Sequence, residues 1–323
     1  MNDVVNALVE VRPVNQQALA RAAMHELVDA IRERKALLFV GAGVSMNLGV
    51  PSWGELTAHM AERLGVDAEE FARMGDDQTL AEYYATQTGS LGPLRSWMDV
   101  EWHRDAAEKV RQSDIHRLIV ELAFPMIYTT NYDRYLELAH EALGVPYTKV
   151  SNISEMAWAE AGVTQIVKFH GDFEDDGSIV LTESSHFERL SLDSPLDLKF
   201  QADLIGRVAL FIGYSVSDVS VRYVLYRLHK LWQRSPYSHA RPKTYVFLGQ
   251  PNPVQAEVLG SWGIIPIFSE SEAVGEGLRQ LLESLVQQAY HTERTETSEE
   301  KPSAGDTAHR SGKGGRKPAS SGK

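Results

Sequence analysis

Apolar positions recur every four residues in QALARAAMHELVDAIRERK (Gln17 to Lys35), where Leu19, Ala23, Leu27 and Ile31 mark one helical face. The pattern then changes. ALLFVGAG opens on five consecutive apolar residues, too continuous for a strand with one wet face, and predicts a strand buried on both sides. Comparable runs follow at FPMIYTT (Phe124 to Thr130), TQIVKFHG (Thr164 to Gly171), VALFIGYS (Val208 to Ser215), KTYVFLG (Lys243 to Gly249) and GIIPIFS (Gly263 to Ser269). Helical patterns fall between and after them: GELTAHMAERLG, Asp133 to Leu143 closed by Gly144, Asp218 to Gln233, and Glu272 to Tyr290. Strands separated by helices predict an α/β fold, an open parallel sheet with helices on both faces.

Two stretches stand apart. Residues 66–122 are polar, charge-rich and amphipathic, and predict a helical insert within a single domain over 1–290. From His291 to Lys323 almost no apolar residue occurs, so burial cannot offset the entropy of ordering, and a disordered tail is expected. Its last 17 residues carry Arg310, Lys313, Arg316, Lys317 and Lys323 with no acid, the only stretch expected to touch nucleic acid. The chain as a whole has a net charge of −12, which argues against a general polyanion binder. It contains no cysteine, which removes disulfides, cysteine nucleophiles and thiolate zinc sites. No apolar run is long enough for a membrane span, and the N-terminus lacks the basic and apolar regions of a signal peptide. A cytoplasmic location is expected.

The candidate chemistry sits where apolar runs end. Gly41-Ala42-Gly43 follows the first strand, with Ser45 in the helix that should begin there; such a turn allows a diphosphate to approach the backbone. Asn131 and Asp133 follow the second apolar run, His170 the third, and Gly213, Ser215 and Asp218 the fourth. In an open α/β sheet ligands gather at the carboxyl ends of strands, so these residues are expected along one crevice. Arg222, Glu183 and His186 are weaker candidates, and Asp218 has a second use as a helix cap. His103, His116 and His140 lack metal-ligand spacing, and no metal is expected.

GAGVSMNLGVPSW, YTTNYD, KFHGD and FIGYSVSD, in that order, resemble the motifs of the sirtuin (SIR2) family, and the P-S-W variant of the first is similar to its bacterial SIR2-like branch. The resemblance spans roughly Leu37 to Ser269. It implies a sirtuin-like Rossmann-type fold with NAD as substrate: pyrophosphate on the Gly41, Ala42, Gly43 and Ser45 turn, adenosine toward Gly213, Ser215 and Asp218, and the nicotinamide ribose toward Asn131 and His170. It further implies His170 as general base, Asn131 as the group orienting ribose or water, and Asp133 as the partner of the nicotinamide carboxamide.

Two departures matter. Sirtuin deacylases carry a zinc module with four cysteines; here there are none, so the helical insert takes its place and the acyl-lysine surface is in doubt. TTN stands where the family has TQN. Water therefore becomes the favoured acceptor, and the expected activity is an NAD glycohydrolase of anti-phage defence. A protein deacylase or ADP-ribosyltransferase, and a non-catalytic NAD- or ADP-ribose-binding module, are the alternatives. An unrestrained NADase would exhaust its own cell, and the chain shows no sensor domain. Control is expected from assembly into a homo-oligomer or from a partner such as an ATPase or a nucleic-acid-guided protein.

Overall fold

In the computed structural model, which describes residues 24–214 and 218–291, the continuous apolar runs form the centre of a parallel sheet. Helix α1 (24–32) leads into β1 (Ala36–Val40), every residue of which is buried. The helix pattern upstream of residue 24, Ser215, and the tail beyond His291 lie outside the described residues. After β1 come α2 (Ala42–Met46), α3 (Trp53–Leu64), α4 (Ala68–Ala72), α5 (Asp77–Thr88), α6 (Gly92–Trp102), α7 (Ala106–Arg111) and α8 (Asp114–Glu121). The chain then returns to the sheet in β2 (Met126–Thr129), α9 (Tyr135–Leu143), β3 (Tyr147–Val150), α10 (Ile153–Trp158) and β4 (Thr164–Lys168). It continues through α11 (Glu183–Arg189), α12 (Pro195–Gly206), β5 (Val208–Ile212), α13 (Val219–Gln233), β6 (Thr244–Leu248), α14 (Pro253–Ser261), β7 (Ile264–Phe268) and α15 (Val274–Tyr290).

The seven strands run parallel in the order β3-β4-β2-β1-β5-β6-β7. Alternate residues of β1 serve opposite layers. Ala36, Leu38 and Val40 face a core with Leu27 and Ile31 of α1, Leu118 and Ile119 of α8, and Leu282 and Leu285 of α15. Leu37 and Phe39 face the other layer, with Phe200 of α12, Val221 and Val224 of α13, and Leu259 of α14. Helices thus cover both faces, and the fold is the α/β, Rossmann-type architecture the pattern predicts. One strand, β3, is unpredicted by it. It is an edge strand whose Tyr147, Thr148 and Lys149 are only half-buried, so it lacks the apolar run that marks the others.

Helices α3 to α7 pack around a third core, including Met60, Phe71, Tyr84, Leu94 and Met98. This core also takes in Val50 and Leu56, upstream of residue 66, whereas α8 turns Ile115, Leu118 and Ile119 toward the sheet. Local signals set the helix ends: Ser52 and Glu55 form a reciprocal capping box on α3, and Gly65 and Gly144 end α3 and α9 in the left-handed conformation.

Candidate active site

The chain enters the sheet centrally at β1, with β2 on one side and β5 on the other, so the carboxyl ends of these strands frame the crevice such folds use for ligands. Three turns meet there. The Gly41–Ser45 segment follows β1, the Thr130–Asp133 loop follows β2, and Gly213-Tyr214 follows β5.

The first and last of these turns touch backbone to backbone. The Gly41 amide donates to the Ile212 carbonyl at 2.9 Å, and the Gly43 amide donates to the Gly213 carbonyl at 2.8 Å. A Cβ on Gly41 would sit 2.4 Å from the Gly213 oxygen and 2.7 Å from Tyr214 Cα; one on Gly43 would sit 2.9 Å from the same oxygen. Gly213 has φ +58°, and its own Cβ would lie 2.6 Å from the Val44 nitrogen. The space these glycines keep open is therefore filled by the neighbouring turn, and the Gly43 amide is already engaged. Gly41→Ala is expected to cost about 1–3 kcal/mol through overpacking against backbone that cannot swing aside. Chemical denaturation checks this, and unchanged stability would mean that the two turns do not meet this closely.

Asn131 ties the second turn to the first. Its Nδ2 donates to the Gly41 carbonyl at 3.2 Å and to Ser45 Oγ at 3.0 Å, while its amide donates to Thr129 Oγ1 at 3.0 Å. The side chain is buried, and Oδ1 has no hydrogen-bond partner. Asp133, also buried, accepts the Tyr135 amide on Oδ1 at 3.0 Å and so caps α9. His170 comes two residues after Lys168, just as Asn131 comes two after Thr129, and Thr129 and Lys168 are register partners across β2 and β4. The two side chains consequently leave adjacent strands at the same level.

The His170 ring is buried, stacked on Phe169 and edge-on to His186 at 5.4 Å between centroids. Its Nε2 lies 3.2 Å from Asp218 Oδ2 but off the line a hydrogen bond requires, so it has no aligned partner. Burial pulls its pKa down to about 4; the Asp218 carboxylate opposes that fall and the positive fields of His186 and Arg189 add to it. The imidazole is neutral at pH 7. Asp218 caps α13, its Oδ1 accepting the Ser220 and Val221 amides, while Oδ2 faces His170. Glu183 lies in the first turn of α11, apart from these contacts, whereas His186, three residues further, joins them. His103, His116 and His140 bond within the helical layers, to Asp99, Ser113 and the Leu136 carbonyl respectively.

Sequence patterning gave no sign of one pair of residues. Lys168, fully buried at the end of β4, donates to the Asp133 carbonyl and lies 3.4 Å from the carboxylate of the equally buried Glu137 on α9. Burial raises the Glu137 pKa, and the Lys168 charge opposes it. The one available signal was a lysine closing an apolar strand directly before Phe-His-Gly.

A cavity of about 310 Å³ opens beside the glycine contact, lined by Gly43, Gly213, Tyr214, Gly249, Val274 and Leu278 among others. Asn131, Asp133 and His170 do not line it. Among the described residues there is no cluster of three metal-ligating side chains, and no helix is long and apolar enough to cross a membrane.

A doubly wound parallel sheet, with a buried Asn and a buried neutral His at the ends of neighbouring strands, defines a Rossmann-type fold. Residues 125–267 match the model of the SIR2-like domain family. It is similar to NAD(+) hydrolase ThsA of Bacillus cereus (strain MSX-D12), with 30% identity over 216 residues covering 65% of this chain and 43% of that protein. NAD(+) hydrolase ThsA of Enterococcus faecium is 32% identical over 201 residues, covering 61% of this chain and 40% of that protein. Defense-associated sirtuin 2 of Bacillus subtilis is 24% identical over 241 residues, 72% of this chain and 23% of that protein. The chain thus spans less than half the length of these relatives.

Proposed function

We propose that this chain is an NAD glycohydrolase acting as an NAD-depleting defence effector. The observation that carries the reading is the pair of buried polar atoms that make no hydrogen bond, Asn131 Oδ1 and His170 Nε2, the latter beside the Asp218 carboxylate, at neighbouring strand ends. Buried polar groups are normally satisfied, and a ribose or an ordered water would satisfy both. The likeness to proteins named NAD(+) hydrolase supports the choice of substrate.

In this reading water adds to C1′ of the nicotinamide ribose, the C1′–N bond breaks, and nicotinamide leaves with the bonding electrons. The water's proton passes to His170, whose neutral imidazole is ready to accept it. Asn131 orients the water or the ribose through Oδ1, its amide nitrogen being held by Gly41 and Ser45. Recognition of the carboxamide falls to Asp133 Oδ2, since Oδ1 caps α9. The pyrophosphate lies against the Gly41–Ser45 turn, and the adenosine lies in the cavity lined by Gly213 and Gly249. The domain runs over 1–290, with the helical insert in place of a zinc module and the tail from 291 outside it. Assembly into a homo-oligomer, or with a defence partner, supplies control.

The test is incubation of the protein with NAD, with and without an acyl-lysine peptide, following nicotinamide and ADP-ribose. Equimolar nicotinamide and ADP-ribose without peptide is the expected result. Turnover only with peptide would make the protein a deacylase or transferase, and binding without turnover would make it a sensor module.

A further inference from the structure

Between Asp218 and Glu257 the chain has no acidic residue but six cations: Arg222, Arg227, Lys230, Arg234, Arg241 and Lys243. In a protein of net charge −12 this is a local reversal of sign. The segment is α13, the turn after it, β6 and the approach to α14. On the helical insert Arg73, Arg104, Arg111 and Arg117 each pair with a carboxylate three or four residues away. Among the described residues Arg227, Lys230, Arg234 and Lys243 make no ion pair.

Several instead lie over aromatic rings. Arg227 sits 5.8 Å from the Tyr223 ring centroid, Lys230 6.0 Å from that of Tyr226, and Arg222 5.2 Å from that of Trp262. Tyr226 and Trp262 meet edge to face at 5.7 Å, and Arg241 donates to the Trp262 carbonyl, so the patch is continuous from α13 to the end of α14. Tyr223, Tyr226 and Tyr237 are each at least 40% exposed.

We propose that this face binds single-stranded nucleic acid, with phosphates on the cations and bases on the tyrosine and tryptophan rings. The sign of the patch is unbroken over 38 residues, which suits a uniform polyanion. Exposed rings add the sequence-tolerant stacking that single strands offer and a duplex does not. This surface is separate from the candidate active site and from the basic tail, and the inference does not depend on NAD cleavage.

The experiment is fluorescence anisotropy of the full chain with a labelled 20-nucleotide oligothymidylate, the matching duplex and polyglutamate. If about four phosphates are contacted, affinity for the single strand should fall about 50-fold between 50 and 200 mM salt. Arg227→Glu/Lys230→Glu/Lys243→Glu should abolish binding, and Tyr223→Ala/Tyr226→Ala should weaken it at least tenfold with the salt slope kept; Lys230 is half-buried and the other positions are exposed, and thermal melts confirm folding. Binding unchanged in the triple variant would place the contact on the tail and overturn the proposal. So would equal affinity for the duplex, insensitivity to loss of the tyrosines, or preference for polyglutamate, the last marking an acidic protein as the occupant.

Discussion

His170→Ala is expected to slow NAD cleavage about 10²–10⁴-fold, the usual effect of losing a general base, in a protein that still folds. Circular dichroism and a thermal melt establish folding; release of nicotinamide at an undiminished rate would remove His170 from the chemistry. The pH dependence gives a second readout. With its pKa lowered to about 4, the buried imidazole remains a base from pH 8 down to pH 6, so the wild-type rate should show no acid limb near 6.5. The same shift acts on stability. The unfolded chain takes up a proton near the ordinary histidine value that the folded chain refuses until about pH 4. The contribution is thus present above 6.5 and is lost as pH falls toward 4, by up to about 1.4 kcal/mol per pH unit. His170→Ala should flatten that part of the stability profile.

Lys168→Met should destabilise the protein by about 3–5 kcal/mol, because Glu137 is left as an uncompensated buried charge. Removing both members, in Lys168→Met/Glu137→Leu, should recover most of the loss. Urea denaturation of the three proteins measures this. A single variant within about 1 kcal/mol of wild type would show that the carboxylate is already protonated or hydrated. The double variant carries further information: its Asp133 carbonyl has lost its ammonium donor, so slow NAD cleavage at restored stability would make Lys168 a positioning residue for the Asn131–Asp133 loop.

The sheet was legible because six of its strands are continuous apolar runs, a pattern produced by helices on both faces, and each run ends at a residue type that turns or binds. The edge strand β3 was not, because Tyr147, Thr148 and Lys149 alternate like any half-wet segment. The candidate crevice was legible as a set of positions but not as a set of contacts. Gly43 reads as room for a ligand, yet its missing Cβ makes room for Gly213, 170 residues away. Lys168 stands in the sequence only as the first residue of KFHGD, and the approach of α9 makes it half of a buried pair. Such meetings between distant segments leave no mark on local periodicity.

The third core has a consequence for engineering. Besides the residues of α3 to α7 it includes Tyr132 and Tyr135 from the loop and helix after β2, and Phe173, Ile179 and Leu181 from the segment after His170. Tyr132 also donates to the Val180 carbonyl, and Val180 in turn donates to the His170 carbonyl. The helical insert is therefore not a cassette. A chimera made by cutting near residues 50 and 113 would transplant half of an interface, and would leave the backbone that carries Asn131 and His170 facing side chains selected for another sequence. An exchange that respects the architecture must carry Tyr132, Tyr135 and the 173–181 segment with the helices, so the insert and the loops bearing Asn131 and His170 have to be inherited as one unit.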